Sequence, residues 1–151
     1  MESWKRVWRE GFAPVLSSAG LEALARALES DDPRLVQIVT TQPPPMPGLL
    51  NWPVEAACAV AYAGWRGDRL VTVAEVDDYF ACVCREADRQ LGCATACRLF
   101  LNAFDEWPRE EMVRQLLPEV RRELRRRHDA ERADEPTIVH APESDAARYL
   151  P

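Results

Sequence analysis

Five cysteines carry the most reactive chemistry available to this chain: Cys58, Cys82, Cys84, Cys93 and Cys97. Structural zinc sites draw thiolates from C-x₂₋₄-C pairs held in turns and knuckles. Cys82-Val83-Cys84 is instead a C-x-C pair set in a helical pattern. At about 100° per residue, two such side chains diverge by roughly 200° and cannot grip one ion. Cys93 and Cys97 share a face at i and i+4, and a bend at Gly92 brings Cys84 toward them. Cys84, Cys93 and Cys97 are therefore the one candidate set for a metal or for redox sensing. They fall within an apolar stripe, where cysteine serves as a small hydrophobe. Packing is the favoured reading, so no metal or cofactor is expected. Cys82 points away from the stripe and is expected to be the most exposed thiol.

Other catalytic chemistries find little support. The two histidines, His128 and His140, lie at and beyond the end of the last helical pattern. None is left in the folded body to activate a serine or cysteine, or to build a histidine-rich metal site. The acid pairs Asp31-Asp32, Asp77-Asp78, Asp105-Glu106 and Glu110-Glu111 sit near helix ends or solvent faces, where capping and solvation explain them. There is no GxGxxG, no GxxxxGK[ST] and no GxSxG. No residue set speaks for an enzyme.

Recognition chemistry offers three candidates. Trp4 and Trp8, one helical turn apart, cover an edge of the core or form a partner-binding hot spot, a role in which tryptophan is enriched. Pro44 and Pro47 make a minimal PxxP within Gln42-Pro-Pro-Pro-Met-Pro-Gly48, an extended shape that SH3-like domains bind. A rigid loop also accounts for it. Arg121, Arg122, Arg125, Arg126 and Arg127 form a basic end on the last helix that could hold phosphates. Glu119 and Glu123 are interleaved with them and no aromatic residue accompanies them, so a solvated face is the better account.

The elements that must position these groups are helical. The clearest runs from Thr72 to Phe104. Thr72 and Glu75 have capping-box spacing. Val73, Val76, Phe80, Val83, Ala87 and Leu91 then follow at steps of three and four, and Gly92 is the expected stop. Cys93, Cys97, Phe100, Leu101 and Phe104 continue as a second stripe. The spacing predicts an αα-hairpin at the centre of the core.

Around it, a short first helix carries Trp4, Val7 and Trp8, with Gly11 and Pro14 as breakers. A second carries Leu21, Leu24, Ala25 and Leu28. Asp32-Pro33 is a start signal for a third over Leu35 to Val39. Asn51-Trp52-Pro53 opens a fourth, with Val54, Ala57, Cys58, Ala61, Tyr62 and Trp65 on one face. The last carries Val113, Leu117, Val120 and Leu124, and Pro118 should kink or divide it. This gives an all-α domain over residues 1–128, of five to seven helices.

Residues 129–151 lose the periodicity and hold −4 of the formal net charge of −6. They read as an acidic, mostly disordered tail with a short extended piece at Thr137 to His140. The acidic balance gives no general attraction to nucleic acid or to anionic membranes.

The longest apolar run, Ala56 to Trp65, is ten residues. A membrane span needs about 20. No signal-peptide pattern opens the chain, so a cytoplasmic location with reduced thiols is expected. The last helix's stripe is too short and interrupted for a stable two-stranded seam, so a monomer is expected. By elimination, the leading function is a small intracellular protein-interaction module with an unknown protein partner. A thiol-based metal or redox sensor is the alternative, and weak nucleic-acid binding through the last helix is third.

Overall fold

The computed structural model describes residues 1–134 and is all-α, with six α-helices and one two-stranded ladder. The extended piece expected at Thr137 to His140 and residues 135–151 of the tail lie outside the described residues. Helix α1 (Ser3–Val7) runs directly into a π-helical turn (Trp8–Phe12), closed by Ala13 N–H donating to Trp8 O at 2.8 Å. Gly11 does not break it. It is buried where α4 crosses, and a Cβ there would meet Leu91 Cδ1 at 2.9 Å and Ala87 Cβ at 3.3 Å. The glycine is a contact point, and the segment ends instead near Pro14.

Helix α2 (Ser18–Ser30) is capped by Ser17, whose Oγ accepts from Gly20 N–H at 2.9 Å. It ends on Asp31, in the left-handed conformation at φ 51°. Residues 35–39 then depart from the helix expected of them. Val36 N–H donates to Ala57 O and Ala57 N–H donates to Arg34 O, both at 2.9 Å. Only Leu35 and Val36 follow the extended path; residues 37–40 bend, with Ile38 in the left-handed region at φ 81°. Strands β1 (Thr41–Gln42) and β2 (Ala56–Ala57) then pair antiparallel, Thr41 opposite Ala57.

The helix expected from Asn51 also starts late. Residues 53–57 are extended because partners claim them from both sides. Val54 N–H donates to Val71 O on one side, and Glu55 N–H donates to Gln42 O on the other. Helix α3 (Ala59–Tyr62) begins only after Cys58 and continues as a second π-helical turn (Ala63–Gly67).

The Thr72–Phe104 pair stands where its periodicity places it. Helix α4 (Val73–Leu91) opens on the complete Thr72–Glu75 capping box and stops at Gly92, φ 66°. A turn through Ala96 leads into α5 (Cys97–Glu106), whose first N–H, on Cys97, donates to Asp88 Oδ1 at 2.7 Å. The N-terminal segment packs across both arms. Phe100 is fully buried, with its ring centroid 5.2 Å from that of Trp8 and 5.1 Å from that of Phe12. Gly11 meets α4 on the other side.

Helix α6 (Arg109–Ala133) is continuous through Pro118, neither divided nor restarted there. Pro118 is exposed, and so is Arg114 four residues earlier, whose carbonyl loses its usual partner on the wet side of the helix. The helix also runs past the Asp129 boundary read from the sequence. Its buried face is Met112, Leu116 and Val120, with Glu119 and Glu123 beside them. Val113, Leu117 and Leu124 are only half-buried.

The two buried carboxylates explain that rotation. Glu119 accepts a bidentate pair from Arg9 Nε and Nη2, each at 2.8 Å. Glu123 accepts from Arg126 at 2.9 and 2.7 Å and from Arg127 Nε at 3.1 Å. Arg127 goes on to donate to Ala13 O and Leu16 O, tying α6 to the N-terminal segment.

Burial alone would raise the Glu123 pKa, but the hydrogen bonds from Arg126 and Arg127 outweigh it and hold its carboxyl below the usual range. A lowered folded-state pKa contributes stability above the unfolded value, about 4.3 for glutamate, and the contribution vanishes as pH falls through the folded value. Urea midpoints measured against pH should therefore show Glu123→Gln less stable than the parent near neutrality. The gap should close on acidification below about pH 4. A gap that stays constant through that window would mean Glu123 contributes by packing alone.

Candidate functional site

Trp52 is the one exposed aromatic side chain among the described residues, at 52%. It follows the proline-rich stretch, on a loop hydrogen-bonded to the rest of the fold. After Pro47 the chain makes two tight turns: Leu49 N–H donates to Met46 O at 2.9 Å, and Trp52 N–H donates to Leu49 O at 3.1 Å. Gly48, at φ +87°, permits the first of them.

The far end of the loop is stitched to the start of α4. Ala74 N–H donates to Leu50 O and Val73 N–H donates to Trp52 O, both at 2.9 Å. Pro53 faces Thr72 across an antiparallel bridge. The near end is held by the Thr41–Ala57 ladder. Side chains on this loop are thus carried by backbone that both flanks fix.

Four large apolar side chains stand out from this region: Met46, Leu50, Trp52 and Val71, each about half-exposed. Met46, Leu50 and Trp52 share this loop and Val71 lies on the segment hydrogen-bonded to its far end; exposed apolar residues scattered singly need no explanation, whereas grouped ones are a candidate contact site. Asn51 and Glu55, both exposed, and Arg69 beyond Val71 give it polar flanks in the chain, the composition of an interface rim. Pro44 and Pro47, the PxxP candidate, are exposed on the same loop.

The other tryptophan candidates lie elsewhere. Trp4 is 6% exposed and Trp8 fully buried. Trp4 sits edge-on to Trp107, centroids 4.7 Å apart, and donates from Nε1 to Glu2. Trp8 packs on Phe100. These two tryptophans serve the core and present no surface to a partner. The i, i+4 spacing that made them an anchor is the spacing of a buried helix face. The signal that could have found Trp52 is a lone tryptophan between turn formers, outside any stripe.

The basic end of α6 is largely committed to its own carboxylates. Arg121 pairs with Glu29 at 3.1 Å, and Arg126 and Arg127 pair with Glu123. Arg122 and Arg125 are exposed with no carboxylate partner among the described residues.

The thiols regroup relative to expectation. Cys93 is exposed on the turn after α4. Cys58 takes its place beside Cys84, which also lies against Cys97. Burial pushes the Cys58 thiol up to about 12. Burial, reinforced by Cys97 and Cys58, raises Cys84 as well, and burial with Asp88 raises Cys97. These three are protonated at neutral pH, the form that neither attacks nor ligates. Among the described residues no three histidine, cysteine, aspartate or glutamate side chains are gathered to hold a metal ion.

Cys82 is exposed as its helical phase implies, with Arg85 Nη2 at 3.2 Å from its sulfur. Native thiol labelling followed by mass spectrometry should modify Cys82 and Cys93 well before Cys58 and Cys84. Early modification of Cys84 would show that the α4–α5 contact opens readily.

No helix among the described residues is long and apolar enough to cross a membrane. No protein-family model, no curated protein and no solved structure matches this chain.

Proposed function

We propose that this chain is a small protein-interaction module, and that Trp52 with Met46, Leu50 and Val71 is its contact surface. One observation carries the reading: among the described residues, Trp52 is the aromatic ring left exposed, on a loop hydrogen-bonded at both ends. Tryptophan is the side chain most enriched at binding hot spots. A loop already held in place loses little further conformational freedom on binding. The partner is a protein that offers an apolar pocket for the indole, with room beside it for Leu50 and Met46. Pro44 and Pro47 extend the same surface.

The test is affinity capture from the native cell extract with the parent, with Trp52→Ala, and with Arg125→Gln as a surface control. A specific partner should be retained by the parent and by Arg125→Gln. It should bind Trp52→Ala at least about tenfold more weakly, the scale of a hot-spot truncation. The melting temperature of Trp52→Ala should stay within about 3 °C of the parent, since a half-exposed side chain contributes little to the core. Undiminished capture by a folded Trp52→Ala would remove this surface from consideration.

A further inference from the structure

On a different part of the molecule, three guanidinium groups line one small polar cavity. Arg26 comes from the exposed edge of α2, Arg34 from the segment after it, and Arg66 from the π-helical turn that follows α3. Ser30 and the Tyr62 hydroxyl complete the polar wall, with Asp32 beside them.

The single carboxylate is already spent. Asp32 accepts from Arg34 backbone N–H at 2.9 Å, from its Nε at 3.0 Å and Nη2 at 2.8 Å, and from Tyr62 Oη at 3.0 Å. The Arg34 hydrogen bonds hold that carboxyl well below the usual range, so it remains an anion locked to its partner. Arg26 and Arg66 have no carboxylate within ion-pair distance among the described residues. The cavity therefore carries two cationic charges beyond the Asp32–Arg34 pair.

Their placement is organised by Trp65. The Arg66 guanidinium lies 5.3 Å from the centroid of the indole and that of Arg34 lies 6.0 Å from it. Tyr62 meets the same ring edge-on, centroids 5.7 Å apart. Arginine held by stacking keeps its planar donor fork aimed while its charge stays free.

The end of α2 would by itself disfavour an anion. The two surplus guanidinium charges outweigh that partial negative charge, which is equivalent to only about half an elementary charge. We infer that this cavity binds a phosphate group, as free phosphate or as the end of a small phosphomonoester. A phosphate carries between −1.5 and −2 near neutral pH and offers acceptor oxygens in several directions, which matches two surplus guanidiniums better than a single carboxylate does. The cavity volume of about 190 Å³ falls below the several hundred Å³ of sites that enclose a larger ligand, so a whole nucleotide is not the expected occupant.

Trp65, beside the cavity, is one of five tryptophans. Intrinsic tryptophan fluorescence, together with the melting temperature, should be followed while inorganic phosphate or glycerol 3-phosphate is added at constant ionic strength made up with chloride. A parallel arm should measure cosedimentation with vesicles of phosphatidylcholine doped with phosphatidic acid. The expected result is a saturable response in the millimolar range. Arg66→Gln and Arg26→Gln should each weaken it about tenfold, the loss of one charge-assisted hydrogen bond. Arg125→Gln, outside the cavity lining, should leave it unchanged.

Saturation with the soluble phosphates alone assigns a soluble ligand. Cosedimentation lost in the same two variants assigns a lipid headgroup, and either result sustains the site. No saturable response in any arm, or an equal loss on Arg125→Gln, overturns it. Circular dichroism of the variants shows that each is folded; both arginines are exposed and their replacement leaves the core intact.

Discussion

Phe100→Ala should lower the folding free energy by about 4 kcal/mol, the usual scale for truncating a buried phenylalanine. Its ring is the meeting point of the fold. Trp8 lies 5.2 Å away, Phe12 5.1 Å, Phe104 6.0 Å and Trp4 6.5 Å between centroids. These four rings come from the N-terminal segment and from α5, so removing Phe100 leaves a cavity that no single shift can close. Thermal unfolding should show the midpoint falling by about 10 °C or more for a chain of this length. A drop of only two or three degrees would mean that the N-terminal segment does not depend on this aromatic cluster.

Gly67→Ala should be comparably damaging, by about 3 kcal/mol, at the upper end of ordinary overpacking. A Cβ at Gly67 would sit 2.3 Å from Gly20 Cα, 2.5 Å from Gly20 N and 2.7 Å from Ala19 O. All three are backbone atoms of α2, so no rotamer change relieves the clash. The first turn of α2 lies directly on the second π-helical turn, and the absence of a side chain at Gly67 allows it. Gly48→Ala is the informative contrast. Nothing lies within 4 Å of its Cβ position, so only the backbone preference at φ +87° opposes it, a cost of about 1–2 kcal/mol. Urea unfolding of both variants should rank them in that order, and equal midpoints would refute the close approach of α2 to the π-helical turn.

What was legible in the sequence was local. The Thr72–Glu75 box and the Gly92 stop need only neighbours within a few residues, and both are found. The exposure of Cys82 follows from helical phase alone. The failures share a non-local cause. Val54, Ala57, Cys58 and Ala61 fit helical spacing, yet residues 53–57 are extended because Val71 and Gln42, far along the chain, take their hydrogen bonds. Leu35 to Val39 had a good start signal at Asp32-Pro33, but Asp32 instead accepts from Arg34 N–H in a tight turn.

The phase of α6 was misread because Glu119 and Glu123 look solvent-facing. Arg9, 110 residues away, makes one of them a core group. At the candidate site, the i, i+4 pair of tryptophans drew the reading toward Trp4 and Trp8, which are buried, and away from Trp52. A tryptophan's neighbours in sequence say whether it sits on a stripe. Whether the loop beside it is pinned to α4 depends on the fold.

The most direct test of Trp52 as the contact surface is site-specific photocrosslinking in the native cell. A photoreactive phenylalanine analogue at Leu50, beside the indole, should give one discrete adduct with another protein. The same probe at Arg122, on the exposed face of α6, should give none of that mass. Introducing Trp52→Ala behind the Leu50 probe should abolish the adduct while the protein stays folded. An adduct of equal yield from both probe positions, or one that survives Trp52→Ala, would contradict the assignment of this surface.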